Sequence, residues 1–241
     1  MVQVAILGFG TVGSGVAEVL TGHEESIAHK LNDFIRLKYI VDVREFPDSP
    51  FADRFVSDFS VVENDPEVDI VVETIGGATV ALDYTTRALK AGKSVVTSNK
   101  ELVAKHGYEL IQLAKENQVS YLFEASVGGG IPIIRPLSQC LAANEILEIC
   151  GILNGTTNYI LTRMIKAGLP FEAALKEAQD NGYAERDPSA DIEGHDACRK
   201  ICILASLAFG RHVYPEQVET EGITDITLDD VEYADSFGCT V

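Results

Sequence analysis

The segment Val2-Gln-Val-Ala-Ile-Leu-Gly8-Phe-Gly10-Thr-Val-Gly13 joins an apolar run to a glycine-rich turn. A short continuous apolar run predicts a strand that is buried on both faces. The glycines fit the pattern G-x-G-x-x-G, and a helix is predicted at Ser14–Leu20. In such a unit the first glycine allows the tight turn, the second lets a pyrophosphate approach the backbone, and the third lets the helix pack closely. The segment therefore favours dinucleotide binding at a helix N-terminus over a merely structural turn.

Strands and helices alternate beyond this unit. The pattern predicts strands at Ile35–Val43, Val68–Glu73, Ser94–Thr97 and Val119–Glu124, and helices at Thr79–Ala91 and Lys100–Asn117. This alternation requires a parallel sheet with helices on both faces. The predicted fold is therefore α/β, a Rossmann-type doubly wound parallel sheet.

A glycine- and proline-rich segment, Val127-Gly-Gly-Gly-Ile-Pro132, interrupts the alternation and predicts a hinge or a ligand loop. We place the domain boundary there, with a dinucleotide-binding domain over residues 1–127 and a second, α+β domain over residues 128–241. The expected elements of the second domain are a helix at Ile134–Ala142, a strand at Ile146–Leu153 and helices near Tyr159–Ala167, Phe171–Asn181 and Gly194–Gly210.

The last residues, Glu219–Val241, are acidic and contain no obvious closing element. They are expected to form a flexible tail, or to mark a second domain that is incomplete.

The composition limits the classes of function. The chain has 241 residues, of which 46% are hydrophobic and 23% charged, as in an ordinary soluble globular protein with a sizeable core. Its net charge of −18 argues against nucleic acid and anionic membranes, because phosphate binding depends on Lys and Arg. No apolar run reaches the roughly 18 residues of a membrane helix, and the N-terminus lacks a signal-peptide pattern.

The cysteines favour a reducing, cytoplasmic setting. Their number is odd, and no C-x-x-C pair is present among Cys140, Cys150, Cys198, Cys202 and Cys239. Cys198 and Cys202 lie four residues apart on a predicted helix, so we expect buried free thiols rather than a disulfide or a zinc site.

Two charged residues bear on the choice between NAD and NADP. Asp42, near the end of the second predicted strand, could bond the ribose hydroxyls and repel a 2′-phosphate, whereas Arg44 could receive that phosphate. Asp42 could equally cap a loop, and NAD is favoured only slightly. The predicted cofactor-binding residues are Gly8, Phe9, Gly10, Thr11, Val12, Gly13, Asp42, Arg44, Thr74 and Lys100.

Two polar segments follow predicted strands. Thr97-Ser-Asn-Lys100 lies at a carboxyl end of the sheet, where ligands bind, so Lys100 could contact substrate or the nicotinamide ribose, or could simply be solvated. Asn154-Gly-Thr-Thr-Asn158 offers N–H groups and hydroxyls that suit a carboxylate, but the same residues also suit a helix cap.

An acidic segment with one lysine, Glu185–Lys200, forms a third candidate site. Asp196 and Lys200 lie four residues apart and can pair on one helix face. Partial burial would favour the neutral amine of a proton carrier, while Asp196 would hold the amine charged and oriented. Glu185 and Asp191 could then bind an ammonium group. The residues alone favour an ordinary ion pair beside an Asp-Pro turn.

The chain resembles the homoserine dehydrogenases. Ala178–Lys200 is similar to the family signature around its catalytic lysine: A-x-x-x-G, Y-A-E, D-P, D-I and G-x-D-x-x-x-K. The glycine loop, Thr97–Lys100, Glu124–Pro132 and Asn154–Tyr159 also resemble the family in sequence and order. The resemblance extends from Val2 to about Gly210 and reverses the preference for an ordinary ion pair. Family members continue well past Val241, so we expect a fragment whose substrate-binding and dimerisation domain is truncated.

The resemblance implies NAD(P)-dependent interconversion of L-homoserine and L-aspartate 4-semialdehyde, a step towards threonine and methionine. Lys200 would be the acid/base, Lys100 would assist at substrate and cofactor, and Asp196 would support Lys200. The implied substrate-binding residues are Glu185, Asp191, Gly155 and Thr156.

The resemblance also implies a sodium-type cation site and a homodimer. The cation site is formed largely by backbone carbonyls, and it would fall on Glu124, Val127, Gly129 and Ile131.

Two alternatives remain open. A dehydrogenase acting on aspartate semialdehyde through a thioester needs an activated cysteine. Cys140 and Cys150 are instead expected in an apolar helix and strand, which disfavours that enzyme. A non-catalytic nucleotide-binding or assembly module is the alternative from another class.

Overall fold

Strand β1 (Val2–Leu7) lies inside a parallel sheet in a computed structural model that describes residues 1–241. It pairs with β2 (Ile35–Val41) on one side and with β4 (Val68–Glu73) on the other. The remaining strands are β3 (Phe55–Val56), β5 (Ser94–Thr97) and β6 (Tyr121–Leu122). Every ladder is parallel, and the spatial order is β3-β2-β1-β4-β5-β6. This order confirms the predicted Rossmann-type sheet, which has its ligand crevice where the strand order reverses.

Helices connect the strands of this sheet. They are α1 (Thr11–Gly22), α2 (Glu24–Leu31), α3 (Ser60–Glu63), α4 (Thr79–Lys90) and α5 (Lys100–Glu116). One core cluster packs Ala17 of α1 against Ile6 of β1 and Ile40 of β2, all of them fully buried. The close fit of α1 on the sheet directs the start of this helix toward the carboxyl end of β1.

The contacts divide the chain into two units, Met1–Ala142 and Ala143–Val241. The predicted boundary between residues 127 and 128 lies earlier, and the domain limits remain a prediction. A local reason for the later division is the Glu124 carboxylate, which accepts hydrogen bonds from the backbone N–H groups of Ile133, Ile134 and Arg135. These bonds hold the residues after the glycine-rich loop to the first unit.

The second unit is helical. Its helices are α6 (Gly155–Ala167), α7 (Phe171–Asp180), α8 (Ser189–Ile192), α9 (His195–Phe209) and α10 (Leu228–Ser236). A core cluster joins Ile160 and Met164 of α6 to Ala174 and Ala178 of α7. None of the helices in the chain combines the length and the apolar character needed to cross a bilayer.

The strand predicted at Ile146–Leu153 is wrong. These residues form no regular structure, and Leu147 and Ile152 are 82% and 80% exposed. A strand requires a neighbour for its N–H and C=O groups, and all six strands of the chain lie in the first unit. The apolar pattern was present, but the second unit contains no strand to pair with it.

Two other predictions differ from the structure. The helix predicted at Ile134–Ala142 contains a wide π-turn over Pro136–Cys140, where Leu141 N donates to Pro136 O at 3.0 Å. Pro136 stands in the first turn, where its missing N–H costs no helical hydrogen bond. The predicted acidic tail contains α10, whose start is fixed by Thr227 and Asp230 in a reciprocal capping arrangement.

Candidate active site and cofactor-binding residues

The glycine loop has the geometry that its sequence predicted. Gly8 adopts a φ of +90°, a region that disfavours side chains. A Cβ atom on Gly13 would lie 1.9 Å from Gly8 O, whereas a Cβ on Gly10 would meet nothing within 4 Å. The first N–H groups of α1 have no partner within the helix, which suits an anion. The open space beside Gly10 therefore fits the pyrophosphate of a dinucleotide.

Thr74 fastens this loop to the end of β4. Its Oγ1 lies 2.9 Å from both Leu7 O and Gly8 O, and its N–H donates to Leu7 O at 2.9 Å. Thr74 was predicted to bind cofactor. In the structure its hydroxyl holds the loop in place, and its contact with a cofactor stays a prediction.

Asp42 and Arg44 lie beside the same loop and bond to one another. Asp42 Oδ2 accepts from the N–H of Phe9 at 2.7 Å and from Arg44 Nη2 at 2.9 Å, and Oδ1 accepts from Arg44 Nε at 3.0 Å. The Arg44 side chain, helped by backbone N–H groups, lowers the pKa of Asp42 to about 2 although burial opposes this shift. Asp42 is therefore an ionised group at the ribose end of the predicted cofactor site, and it is partly neutralised by Arg44.

A cavity of about 370 Å³ adjoins this pair. Its lining residues are Asp42, Val43, Arg44, Glu45, Phe46, Pro47, Ala52, Phe55, Val56 and Ser57. The aromatic rings of Phe46 and Phe55 stack with centroids 5.0 Å apart and offer an apolar wall for a planar base.

Glu73 is a buried acid that the sequence pattern did not predict as part of the site. It is fully buried at the carboxyl end of β4, where its carboxylate accepts from Ile75 N at 2.6 Å and from Thr97 Oγ1 at 2.5 Å. Burial raises the pKa of Glu73, and hydrogen bonds from Thr97, Ile75 and Asn99 oppose this shift. The available signal was an acid that ends an apolar strand, since a buried acid needs several donors. Glu73 joins the loops that follow β4 and β5.

Lys100 begins α5 in the second of these loops and is half-buried. Asn99 caps the helix by accepting from Leu102 N, and its side-chain amide donates to Ile75 O at 2.9 Å and to Gly77 O at 2.7 Å. The position of Lys100 is thus set by the same bonds that fix the loop after β4.

The proposed cation loop offers oxygens rather than a cluster of charged ligands. No group of three or more His, Cys, Asp or Glu residues is arranged to hold a metal ion. Ile131 N donates to Gly128 O at 2.8 Å. The carbonyl oxygens of Val127, Gly129 and Ile131 accept no hydrogen bond from the backbone N–H groups of turns and loops. Hard cations bind carbonyl oxygens, so these residues fit a cation of that type. The Glu124 carboxylate is occupied by backbone N–H groups, which leaves its carbonyl as the candidate ligand.

The second unit contains the predicted pair of Asp196 and Lys200. Lys200 Nζ lies 2.7 Å from Asp196 Oδ2 and donates to Leu153 O at 2.7 Å. The side chain of Lys200 is 17% exposed and that of Asp196 is 4% exposed, so the pair is largely shielded from water. This confirms the predicted pairing on one face of α9. A lysine held by two acceptors and still reachable from solvent can donate or accept a proton.

Asn154 connects this pair to Asp191. Its Nδ2 donates to Asp191 Oδ1 at 2.6 Å and to Asp196 Oδ2 at 2.8 Å, while its Oδ1 accepts from Thr157 N at 2.8 Å and caps α6. The sequence of the Asn154 segment fits either a carboxylate site or a helix cap. The cap is confirmed, but the bridge to two acids 37 and 42 residues away was not foreseen.

The other predicted substrate residues differ in placement. Glu185 is exposed, and only its backbone carbonyl has a hydrogen-bond donor, Gln179 Nε2 at 3.1 Å. Thr156 Oγ1 donates to Tyr183 O at 2.8 Å, and Gly155 is the exposed first residue of α6. The structure therefore brings Asp191, Asp196 and Lys200 together and leaves Glu185 outside their hydrogen bonds.

The cysteines are all free thiols. Cys198 and Cys202 are buried, as predicted, and burial raises the pKa of Cys202 to about 12 with a further contribution from Cys198. Cys140 ends the helical turn Pro136–Cys140, whereas Cys150 lies in a segment without regular structure, so the strand expected for Cys150 is wrong. Both thiols are exposed.

Family comparisons divide the chain at nearly the same place as the glycine-rich loop. Residues 8–124 match the family of the homoserine dehydrogenase NAD-binding domain, and residues 132–241 match the homoserine dehydrogenase family. A homoserine dehydrogenase of Bacillus subtilis is 43% identical over 244 residues, which cover 100% of this chain and 56% of that protein. The chain thus spans about 55% of the length of the curated relatives it matches.

Solved structures agree with this relationship. A homoserine dehydrogenase from Thiobacillus denitrificans superposes with a TM-score of 0.93 at 44% identity, covering 98% of this chain and 56% of that one. A structure described as a homoserine dehydrogenase from Archaeoglobus fulgidus has a TM-score of 0.88 at 37% identity. The match covers 100% of this chain and 78% of that one. A hyperthermophilic archaeal homoserine dehydrogenase in complex with NADPH has a TM-score of 0.81 at 30% identity. The match covers 93% of this chain and 74% of that one.

Gly13 and Gly10 have different predicted roles in the glycine loop: Gly13 allows the helix to pack, and Gly10 leaves space for the dinucleotide. Gly13→Ala should destabilise the chain by about 1–3 kcal/mol, because its Cβ would overlap the Gly8 carbonyl and the alanine helix preference of about 1 kcal/mol is too small to offset that overlap. Gly10→Ala should keep its melting temperature but weaken dinucleotide binding, because its Cβ would enter the open space. Thermal unfolding and dinucleotide titration would test both variants. Equal melting temperatures for the two variants would contradict the packing argument.

Glu73 generates a prediction about pH. Because burial raises its pKa in the folded state, the folded protein holds this proton more tightly than the unfolded chain, and stability falls as pH rises from the unfolded value of about 4.5 through the folded one. Glu73→Gln removes this titration, so the stability of the variant relative to wild type should increase over that pH range. Urea unfolding at several pH values would measure the difference. Parallel curves for variant and wild type would show that Glu73 does not titrate this way.

Proposed function

Because the chain belongs to the homoserine dehydrogenase family, we propose that it carries the cofactor-binding and acid/base residues of an NAD(P)-dependent homoserine dehydrogenase. The reaction interconverts L-homoserine and L-aspartate 4-semialdehyde, a step towards threonine and methionine. The observation that carries this proposal is the position of Lys200, which is largely buried and bonded to Asp196 and Leu153 O.

Lys200 moves the proton in this proposal. A bound nicotinamide cofactor supplies the hydride that reaches C4 of the semialdehyde during reduction. Negative charge then develops on the aldehyde oxygen, and Lys200 Nζ donates a proton to it. In the oxidation direction Lys200 takes the hydroxyl proton. Asp196 keeps the amine in place throughout, because its carboxylate is bonded to Nζ at 2.7 Å.

The substrate amino group is assigned to Asp191 and Glu185. Asp191 Oδ1 is bonded to Asn154, so Oδ2 can accept from an ammonium group. Glu185 is exposed and can turn its carboxylate toward a ligand. Gly155 and Thr156 begin α6, whose first N–H groups suit the substrate carboxylate. Lys100 is assigned to assist at substrate and cofactor.

NAD is the proposed cofactor in preference to NADP. Gly8–Gly13 would hold the pyrophosphate of the dinucleotide, Asp42 would hold its ribose, and the cavity beside Phe46 and Phe55 would hold its base. The ionised Asp42 carboxylate accepts from ribose hydroxyls and repels a 2′-phosphate. Arg44 is already bonded to Asp42, which lowers its capacity to bind that phosphate.

Three further features belong to the same proposal. A sodium ion is assigned to the carbonyls of Glu124, Val127, Gly129 and Ile131, which the lack of backbone donors to the last three supports. A homodimer is assigned by resemblance to the family. A cytoplasmic location is supported by five free thiols.

Lys200→Ala tests the proton transfer. It should lower NADH oxidation with aspartate semialdehyde by about a hundredfold to ten-thousandfold, the usual contribution of a general acid. Lys166→Ala is the matched control, since Lys166 lies in the last turn of α6 and is exposed. Unchanged turnover in Lys200→Ala would exclude the assigned role. Dinucleotide binding without any turnover in wild type would favour a non-catalytic nucleotide-binding or assembly module.

Asp42→Asn tests the cofactor preference. The amide keeps an acceptor for the Phe9 N–H but removes the negative charge, so kcat/KM with NADPH relative to NADH should rise by about tenfold. Arg44→Ala should lower the same ratio, because it removes the only cation of the pair. A ratio that stays constant in both variants would show that these residues do not select the cofactor.

A further inference from the structure

We propose that Asn154 is a positioning residue that sets the orientation of Lys200 and holds Asp191 and Asp196 side by side. This role rests on the proposed function of Lys200. Without Asn154, the geometry of Asp191, Asp196 and Lys200 would change. A helix cap alone does not require an amide at this position, because Ser and Asp also cap helices well.

The hydrogen bonds of Asn154 use the whole amide. Both hydrogens of Nδ2 go to carboxylates, at 2.6 Å to Asp191 Oδ1 and at 2.8 Å to Asp196 Oδ2. Oδ1 accepts from the N–H of Thr157 at 2.8 Å and from its hydroxyl at 3.0 Å. The side chain is buried, with 7% of the residue exposed. A buried amide with every donor and acceptor satisfied has one allowed orientation.

The bridge opposes a repulsion. Asp191 and Asp196 are both acids, and like charges disfavour close approach in a site with little water. The Asn154 amide donates one hydrogen to each carboxylate and so stabilises both charges at short range. Removing this donor leaves the two acids to move apart, and Asp196 is the acid that is bonded to Lys200.

The peptide that joins Leu153 to Asn154 determines the direction of the lysine. Leu153 O accepts one hydrogen from Lys200 Nζ, and Asp196, held by the Asn154 side chain, accepts another. An ammonium group has three hydrogens, so two are fixed by this arrangement and the third is the one that can reach a substrate oxygen. Asn154 thus acts on proton transfer through Asp196 and through the backbone, without contacting the reacting atoms.

Two substitutions separate capping from bridging. Asn154→Ser and Asn154→Asp both preserve a cap for α6, but the first loses the two-carboxylate bridge and the second replaces the donor with a third acid. Thr227→Ala, which removes the N-cap of α10 in the same unit, shows what the loss of a cap alone does. Thermal unfolding of each variant checks that it is folded.

Turnover in the full chain is the first measurement. We expect Asn154→Ser to lower kcat/KM for aspartate semialdehyde by about tenfold or more, through kcat because Lys200 is misaligned and through KM because Asp191 is released. Thr227→Ala should change the melting temperature but not kcat/KM. A kcat/KM for Asn154→Ser within twofold of wild type would overturn the proposal, because a cap would then be the whole role of Asn154.

The second measurement does not depend on turnover. The rate at which an amine-specific acylating reagent modifies Lys200 is followed by mass spectrometry, with exposed Lys166 as the internal reference. Asn154→Asp should slow the modification, because a third carboxylate beside Nζ attracts the lysine side chain and holds it in the cluster. Asn154→Ser should accelerate it, because Asp196 is free to leave the amine.

These outcomes distinguish the two proposals. If wild type shows no turnover, the proposed function fails, whereas opposite changes in the modification rate of Lys200 would still support the positioning role. Modification of Lys200 at the wild-type rate in the folded variants would overturn it. If either Asn154→Ser or Asn154→Asp does not fold, the modification rate of Lys200 in the other variant still tests the positioning role.

Discussion

The first unit depends on the contact between Gly13 and the carbonyl of Gly8. A side chain at Gly13 would come within 1.9 Å of that oxygen, so α1 can approach β1 only because the carbon is absent. This approach places the start of α1 at the carboxyl edge of the sheet, beside the ends of β4 and β5. Thr74 then fastens the loop, and Glu73 and Asn99 join the two neighbouring loops. The arrangement of the predicted cofactor-binding residues therefore depends on one close backbone contact.

Sequence reasoning succeeded where a property is local. The limits of β4 and β5 were predicted correctly because both strands have apolar runs that end in a polar residue, Glu73 or Thr97. The pairing of Asp196 with Lys200 was also predictable, since residues four apart share a helix face.

Features that depend on a residue far away in the sequence were not predicted. The apolar run at Ile146–Leu153 has the pattern of a strand, but pairing depends on a neighbour that the pattern does not encode. Asn154 reads as a cap because its bond to Thr157 is local, while its two acids come from α8 and from α9. Glu73 ends its strand like a solvated acid, and only the fold shows that donors from Ile75 and Thr97 surround it.

The helix that carries Lys200 also carries two thiols, and their burial has a consequence for chemical durability. Oxidants and alkylating agents attack the thiolate, so a thiol with a pKa of about 12, such as Cys202, stays protonated and unreactive in a cell. Cys140, Cys150 and Cys239 are exposed and lie away from α9 in the sequence, so they meet such agents first. We therefore expect oxidation to begin at residues outside the helix that holds Lys200.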